Sequence, residues 1–436
     1  MNMNRDKPKS STRNPTGAAP SISGASREIL RRLAGELGGI AAAPVHGEKA
    51  RLWTRLNDLQ SVRPMVWINE IPWHEMNVQE EMTIRCVEPW AQQQEFRLRR
   101  ILYQWRHLPA DMIISDYLPC PLVIENTGFG LEEDVDTIST DAANSVISRH
   151  FNRQIIQPKD IEKIKPAVVH HNAAATEANY QLMCDVYDGL LPVRKEGIKH
   201  IWYTPWDNLI RWWGVQDAML DLVDRPEMVN EAVERCAASM HAALDQMIQQ
   251  NLLSLGVDNT RVGSGGYGYT TALPGANFDS GQVRPMNNWG CSNAQIFSEV
   301  SPEMHWEFAL RHDIAWLERW GLNYYGCCEP LDFKLDILRR IPRLRKISMN
   351  YRIQLRRAVG AVGTDYVFSY KPNPAPLAED RWRPEVAGNE LRQVLEMTRG
   401  MHVEIILKDI STVRYQPQRL WEWQQMAMEL VNESAG

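Results

Sequence analysis

Several common features are missing from this sequence, and each absence removes a class of function. No stretch approaches the roughly 18 consecutive apolar residues that a membrane-crossing helix needs. The first 22 residues lack the apolar centre of a secretory signal. Seven cysteines, an odd number with mostly wide spacing, do not form a disulfide framework, so a reducing cytoplasm is the expected setting. A formal net charge of −6 gives no general attraction to nucleic acid or to an anionic membrane. The glycine-rich run Gly263-Ser-Gly-Gly-Tyr-Gly-Tyr269 is not followed by a helix at P-loop spacing, so it does not read as a phosphate cradle.

What remains is an ordinary globular composition, 44% hydrophobic and 23% charged over 436 residues, enough for one barrel-sized domain with additions. Residues 1–24, rich in Ser, Pro, Asn and Lys, carry too little apolar surface to fold and read as a disordered tail. Between 25 and 60 two helices are predicted to pack on whatever follows. The first is capped by Ser26, carries Ile29, Leu30, Leu33 and Leu37 on one stripe, and ends near Gly38-Gly39; the second runs from about Glu48 to Leu59.

From residue 61 onward the pattern alternates. Short apolar runs at Pro64–Ile71, Asp111–Leu118, Ile198–Tyr203, Asp258–Gly263, Leu322–Cys327, Lys346–Tyr351, Tyr366–Tyr370 and Val403–Leu407 read as strands. Helical patterns fill most of the gaps, at Val78–Tyr103, Gln216–Gln250, Glu303–Trp320, Leu331–Arg340, Glu385–Thr398 and Pro417–Asn432. Strands alternating with helices predict an α/β fold with a parallel sheet. Its simplest closed form is a (β/α)8 TIM barrel with the active site at the C-terminal strand ends. Residues 122–197 and 264–300 are then long insertions, the second an active-site loop or lid.

The chemical centre is expected at Asn323-Tyr-Tyr-Gly-Cys-Cys-Glu-Pro330, where two thiols and an acid sit at a strand end. A free cysteine is by default a small buried apolar residue. Thiolates beside carboxylates are also what a zinc ion binds. Adjacent residues of a regular strand point to opposite faces, so Cys327 and Cys328 can reach one ion only if the chain turns between them. Other strand ends supply Asn69, Glu70, Trp73 and His74; Asp116 and Tyr117; Tyr203, Trp206 and Asp207; Tyr325; Asn350; Ser369, Lys371 and Asn373; and Lys408 and Asp409. For Trp67, Trp73, Trp202 and Trp206 the default is core packing, and for His74 a hydrogen-bonded structural histidine. The functional alternative for the tryptophans is an aromatic wall for a methyl-bearing or cationic substrate, with Glu70 as counter-charge.

Ile113-Ile-Ser-Asp-Tyr-Leu118 resembles the second-strand motif of uroporphyrinogen decarboxylases. Trp202-Tyr-Thr-Pro-Trp206 with Gly214-Val-Gln-Asp-Ala-Met-Leu-Asp-Leu-Val-Asp-Arg-Pro-Glu-Met-Val229 is similar to that family's third strand and following helix. Ser298-Glu-Val-Ser-Pro302 resembles its Ser-Pro helix start, and Gly326-Cys327 falls where its methyltransferase branch carries a His-x-Cys-Gly strand end. The resemblance spans roughly residues 60 to 432.

Departures from the family choose between its activities. Where the decarboxylases resemble one another in paired arginines, this chain reads Trp67-Ile-Asn-Glu-Ile-Pro-Trp-His-Glu75, and an acid there repels a polycarboxylate substrate. The decarboxylases' late histidine is absent from Ile405-Ile-Leu-Lys-Asp-Ile-Ser-Thr412. The resemblance therefore implies a methyltransferase, a demethylase component moving methyl between a small O-, N- or S-methyl compound and a corrinoid carried by a partner protein. Zinc is expected on Cys327, Cys328, Glu329 and Asp409, with Glu70 or His74 as alternatives for the late ligand; Asp116, His74 and Glu70 are the expected catalytic groups. Trp73, Tyr203, Trp206, Tyr325, Asn350, Lys371 and Lys408 are expected against substrate. A homodimer is the other expected partner. The alternatives are a metal-independent decarboxylase or lyase protonating from Asp116, or a binding barrel without catalysis. Zinc content separates the first two, and a pocket without convergent polar groups would mark the third.

Overall fold

In this computed structural model residues 21–138 and 148–434 are described; the tail predicted for residues 1–24 falls mostly outside them. The organising element is a six-stranded, all-parallel sheet. Its strands in chain order are β1 (Met65–Ile68), β2 (Trp289–Ser292), β3 (Leu322–Tyr325), β4 (Leu344–Asn350), β5 (Val367–Lys371) and β6 (His402–Leu407). The spatial order is β1-β6-β5-β4-β3-β2, so the first strand lies beside the last.

The two free edges continue only in fragments. Beside β1, the Asp111 amide donates to the Val66 carbonyl at 2.9 Å; beside β2, Tyr203 makes a single parallel bridge to Ser292. Among the described residues the predicted strands Asp111–Leu118, Ile198–Tyr203 and Asp258–Gly263 form no ladder of their own, and a closed eight-stranded barrel is not shown. The first of these contributes only Leu118 to a short parallel pair, Leu118–Pro121 with Val193–Glu196. The strand β2 lies inside the segment expected to be an insertion. Its four residues carry no pattern longer than a turn, and pairing to β3 is what makes them a strand.

Helices cover the outer face of the sheet. Gln216–Gln250 is two helices, Val215–Asp224 and Pro226–Gln249, because Pro226 has no amide to continue the first but suits the first turn of the second. Pro89–His107 replaces the longer helix predicted from Val78, since Pro89 again sets a start. At the N-terminus, α1 (Gly24–Ala41) is capped by Ser23, and α2 spans Val45–Asn57. Ser26, the predicted cap, instead gives its hydroxyl to Glu88. The α1 stripe Leu30, Leu33 and Leu37 packs with Leu98 and Leu102.

Because side chains alternate along a strand, the sheet has two chemically different faces. Ile347, Met349, Phe368, Tyr370, Val403, Ile405 and Leu407 point outward into the main apolar core under the helices. The opposite face carries Tyr324, Lys346, Ser348, Asn350, Ser369, Lys371 and Glu404, all buried. Near the start of β1 and β5 that inner face turns apolar. There Trp53 and Leu56 of α2 pack with Met65, Ile113, Tyr267, Val367 and Ile406, closing it from below.

Candidate active site

The thiols sit where β3 ends. Gly326 still pairs with β2, its amide donating to Ser292 O at 2.9 Å, but its φ of 97° turns the chain. A β-carbon there would meet Leu331 Cδ1 at 2.5 Å, so only glycine fits. The turn is then locked by side chains. Ser348 Oγ donates to Cys327 O at 2.7 Å, Asn350 and Arg352 donate to Cys328 O, and the Glu329 carboxylate accepts from the Cys327 amide at 2.9 Å. This brings the sulfurs of Cys327 and Cys328 to 3.5 Å, side by side instead of on opposite faces.

Charged groups from two other strand ends meet them. Lys408 Nζ donates to Cys328 Sγ at 3.3 Å and contacts the Asp409 carboxylate, which also accepts from Cys328 Sγ at 3.2 Å. Glu70 ties the group to β1: one oxygen accepts from the Asp409 amide at 3.2 Å and the other from both terminal nitrogens of Arg261 at 3.2 Å. Both Glu70 and Asp409 hold positive φ, 53° and 57°, a conformation that costs non-glycine residues energy and clusters at functional sites.

The electrostatics follow from this packing. Its hydrogen bond with Cys328 lowers the Cys327 thiol in spite of burial, with Lys408 helping, while the same contact raises Cys328. One sulfur of the pair therefore takes the charge more readily and the other keeps the proton. Burial works against the Lys408 ammonium, but Cys327, Glu70, Cys328 and Asp409 around it hold it well above the usual lysine range. Asp409, though buried, is held below its usual range by Lys408.

A zinc ion does not fit this donor set as it stands. The Lys408 ammonium contacts both Cys328 and Asp409, which also touch each other at 3.2 Å, so a metal there would have to displace it. Glu329, an expected ligand, is fully buried with its oxygens on the amides of Cys327 and Ala294, and burial raises its pKa. Among the described residues no group of three or more His, Cys, Asp or Glu side chains is gathered for a metal.

Of the residues predicted from sequence, Glu70, Cys327, Cys328, Asn350, Lys408 and Asp409 converge, and Lys371, in register with Asn350, turns its amine back toward Ser369 and Tyr324. Others are placed elsewhere. The Asp116 side chain is 76% exposed, 3.9 Å from Arg194, because the segment expected as a strand bends outward before it. His74 stands against Glu75 at 3.4 Å and Trp73 against Tyr103, with Arg100 over its ring. Tyr203 stacks on Trp316, and Trp206 donates to Phe308 O at 2.8 Å inside a separate apolar cluster. Tyr325 points outward, its hydroxyl 2.6 Å from His305 Nε2, since its neighbour Tyr324 takes the inward position.

Sequence reading missed Arg261, Ser264, Tyr324, Lys346 and Glu404. Lys346 and Glu404 form an ion pair of 2.9 Å with both side chains fully buried. The glycine-rich run, expected as a lid, is buried as well. The Gly263 amide donates to His200 Nε2 at 3.0 Å and the Gly266 amide to Glu404 at 3.2 Å, so the run lines the inner face. The available signal was polar residues two apart within apolar strands: Lys346, Ser348 and Asn350, then Ser369 and Lys371.

No family model and no curated protein matches the chain. Among solved structures it is similar to a methyltransferase from Methanosarcina mazei, at 10% sequence identity and a TM-score of 0.47, over 88% of this chain and 98% of that one.

Proposed function

We propose that this chain is a methyltransferase of the uroporphyrinogen decarboxylase superfamily, built on a (β/α)8 arrangement and working through the Cys327–Cys328 thiols. The observation that carries this reading is the pair of sulfurs at 3.5 Å beside a buried ammonium at the C-terminal end of a parallel sheet. Thiolate, not thiol, is the nucleophile, and a neighbouring ammonium is a common way to favour it. The Cys327 thiolate attacks the methyl carbon of a small O-, N- or S-methyl compound. A carbon–sulfur bond forms, the carbon–heteroatom bond breaks, and the leaving heteroatom keeps the electron pair and takes a proton from the site. Transfer onward to a second acceptor returns the thiolate; a corrinoid on a partner protein would be that acceptor. Glu70 and Arg261 border the thiols and would orient the substrate's polar end.

The test is incubation of the purified protein with isotopically labelled methanol, methylamines and methyl thioethers, followed by peptide mass mapping. Label on Cys327, absent from Cys327→Ser, is the expected result. No label on any cysteine from any of these donors, with or without added reduced corrinoid, would overturn the thiol route. Stoichiometric zinc in the same preparation, with label transfer lost on chelation, would instead favour a metal-assisted transfer in which Lys408 is displaced.

A further inference from the structure

The inner face of the sheet holds one more charge than structure requires. Lys346 and Glu404 neutralise each other at 2.9 Å. Lys371 is a second lysine on the same face, also buried, and it has no carboxylate of its own. Its Nζ donates to Ser369 O at 2.8 Å, to Ser369 Oγ at 2.6 Å and to the Tyr324 hydroxyl. Ser369 Oγ donates on to Glu404 at 2.5 Å, and Tyr324 is 2.8 Å from Ser264 Oγ, which reaches Gly326 O at 3.3 Å. Hydrogen-bonded groups thus run from Lys346 through Lys371 and Tyr324 to Ser264; the Gly326 carbonyl beyond it accepts but passes no proton on, so the mobile stretch ends at the Ser264 hydroxyl. Hydroxyls that can both give and accept a proton flank Lys371 on two sides.

We infer that Lys371, acting through Tyr324, is the proton carrier of this site. The amine takes a proton through the Tyr324 and Ser264 hydroxyls as a substrate group ionises beside them, becoming ammonium, and the ammonium returns it by the same hydroxyls to a leaving heteroatom, breaking an N–H bond and forming an X–H bond. The inference rests on the thiol site described above, but it does not depend on methyl being the group transferred. Burial lowers Lys371 to about 7 over the opposing pull of Glu404 and Cys327, with Lys408 and Arg261 pushing the same way as burial. The groups facing it are Tyr324 and Cys327 from the end of β3, Ser369 on its own strand, Glu404 and Lys408 from β6, and Arg261 from the glycine-rich segment, with Lys346 reached through Glu404.

The test needs no methyl donor, so it can fail or succeed apart from the transfer reading. Isotope-labelled lysine NMR on the full chain should show a lysine titrating near neutral pH that is lost in Lys371→Met, separate from Lys334, which burial lowers to about 8. Iodoacetamide alkylation of Cys327 should fall about tenfold at neutral pH in Lys371→Met, the size of one pKa unit. Lys371→Arg should restore stability but flatten the neutral inflection of the alkylation profile, and Tyr324→Phe should slow alkylation without unfolding the chain. If the signal lost in Lys371→Met stays protonated through neutral pH, or if Lys371→Arg reproduces the wild-type profile, Lys371 is a fixed structural cation and the inference falls.

Discussion

Replacing Glu404 by Gln is the sharpest single test of the polar interior. The amide has nearly the same shape, so packing is kept and only charge is removed. Glu404 accepts from Lys346 at 2.9 Å, from Ser369 at 2.5 Å and from the Gly266 amide at 3.2 Å. Its loss leaves the Lys346 ammonium, with no exposed surface, facing two dipoles instead of a carboxylate. Breaking one side of a buried pair typically costs about 3–5 kcal/mol. Urea unfolding followed by fluorescence measures it, provided the transition is cooperative. Adding Lys346→Met to Glu404→Gln should recover a large part of the loss, because the orphaned charge is gone. The pH dependence has a definite sign. Burial opposes ionisation of Glu404, but Lys346 and Lys371 hold its folded pKa below 4.5. Its contribution is therefore complete above pH 4.5 and lost as pH falls through the lower folded value, so the gap between wild type and Glu404→Gln should be widest at neutral pH and close in acid. A variant within about 0.5 kcal/mol of wild type at neutral pH would show that Lys346 sheds its proton and that the pair does not hold the interior.

Further expectations concern neighbouring parts of the molecule. Lys408→Met removes the cation beside the sulfurs, so alkylation of Cys327 at neutral pH should drop about tenfold or more; an unchanged rate would remove Lys408 from thiol activation. Gly266→Ala would put a β-carbon 2.4 Å from the buried Trp53 ring and should destabilise by about 1–3 kcal/mol or more. Gly39→Ala, in open space on α1, should stabilise by about 0.5–1 kcal/mol, and equal effects of the two in thermal melts would refute the packing argument. Asp116→Asn, on an exposed residue, should leave both stability and Cys327 alkylation within error, and a tenfold change in alkylation would bring this acid back to the site.

The strands legible in sequence were those whose outward residues face a deep apolar core. Val403, Ile405 and Leu407 gave β6, and Ile347 and Met349 gave β4. The thiols, Lys408, Asp409 and Glu70 were legible because polar groups gathered at strand ends read the same way in any parallel sheet. Asp116 and Tyr325 misled for a common reason: a strand end says which level a residue reaches, not which way it points. At Tyr324-Tyr325 the two directions differ by one position and lead to opposite sides of the sheet. Glu404 was hidden inside an otherwise apolar run, and Lys346, alternating with Ser348 and Asn350, looks like part of a solvent-facing side. Only pairing of β4, β5 and β6 shows that these positions stack on each other.

The placement of Trp53 makes the beginning of the chain part of its interior chemistry. Its indole donates to Asp111 O at 3.0 Å, and Asn57 of the same helix holds the carbonyls of Tyr267 and Tyr269 at 2.9 and 2.6 Å. The helix α2 is thus a stopper in the lower mouth of the chamber, fixed to its rim on two sides. A chain shortened past Asn57 would keep both thiols, both lysines and Glu404, yet open them to water from beneath. Hydrated, Lys346 and Lys371 would return to ordinary lysines, and the Glu404 pair would weaken to a surface contact. Part of that dryness is delivered by a helix finished before the first strand of the sheet is made.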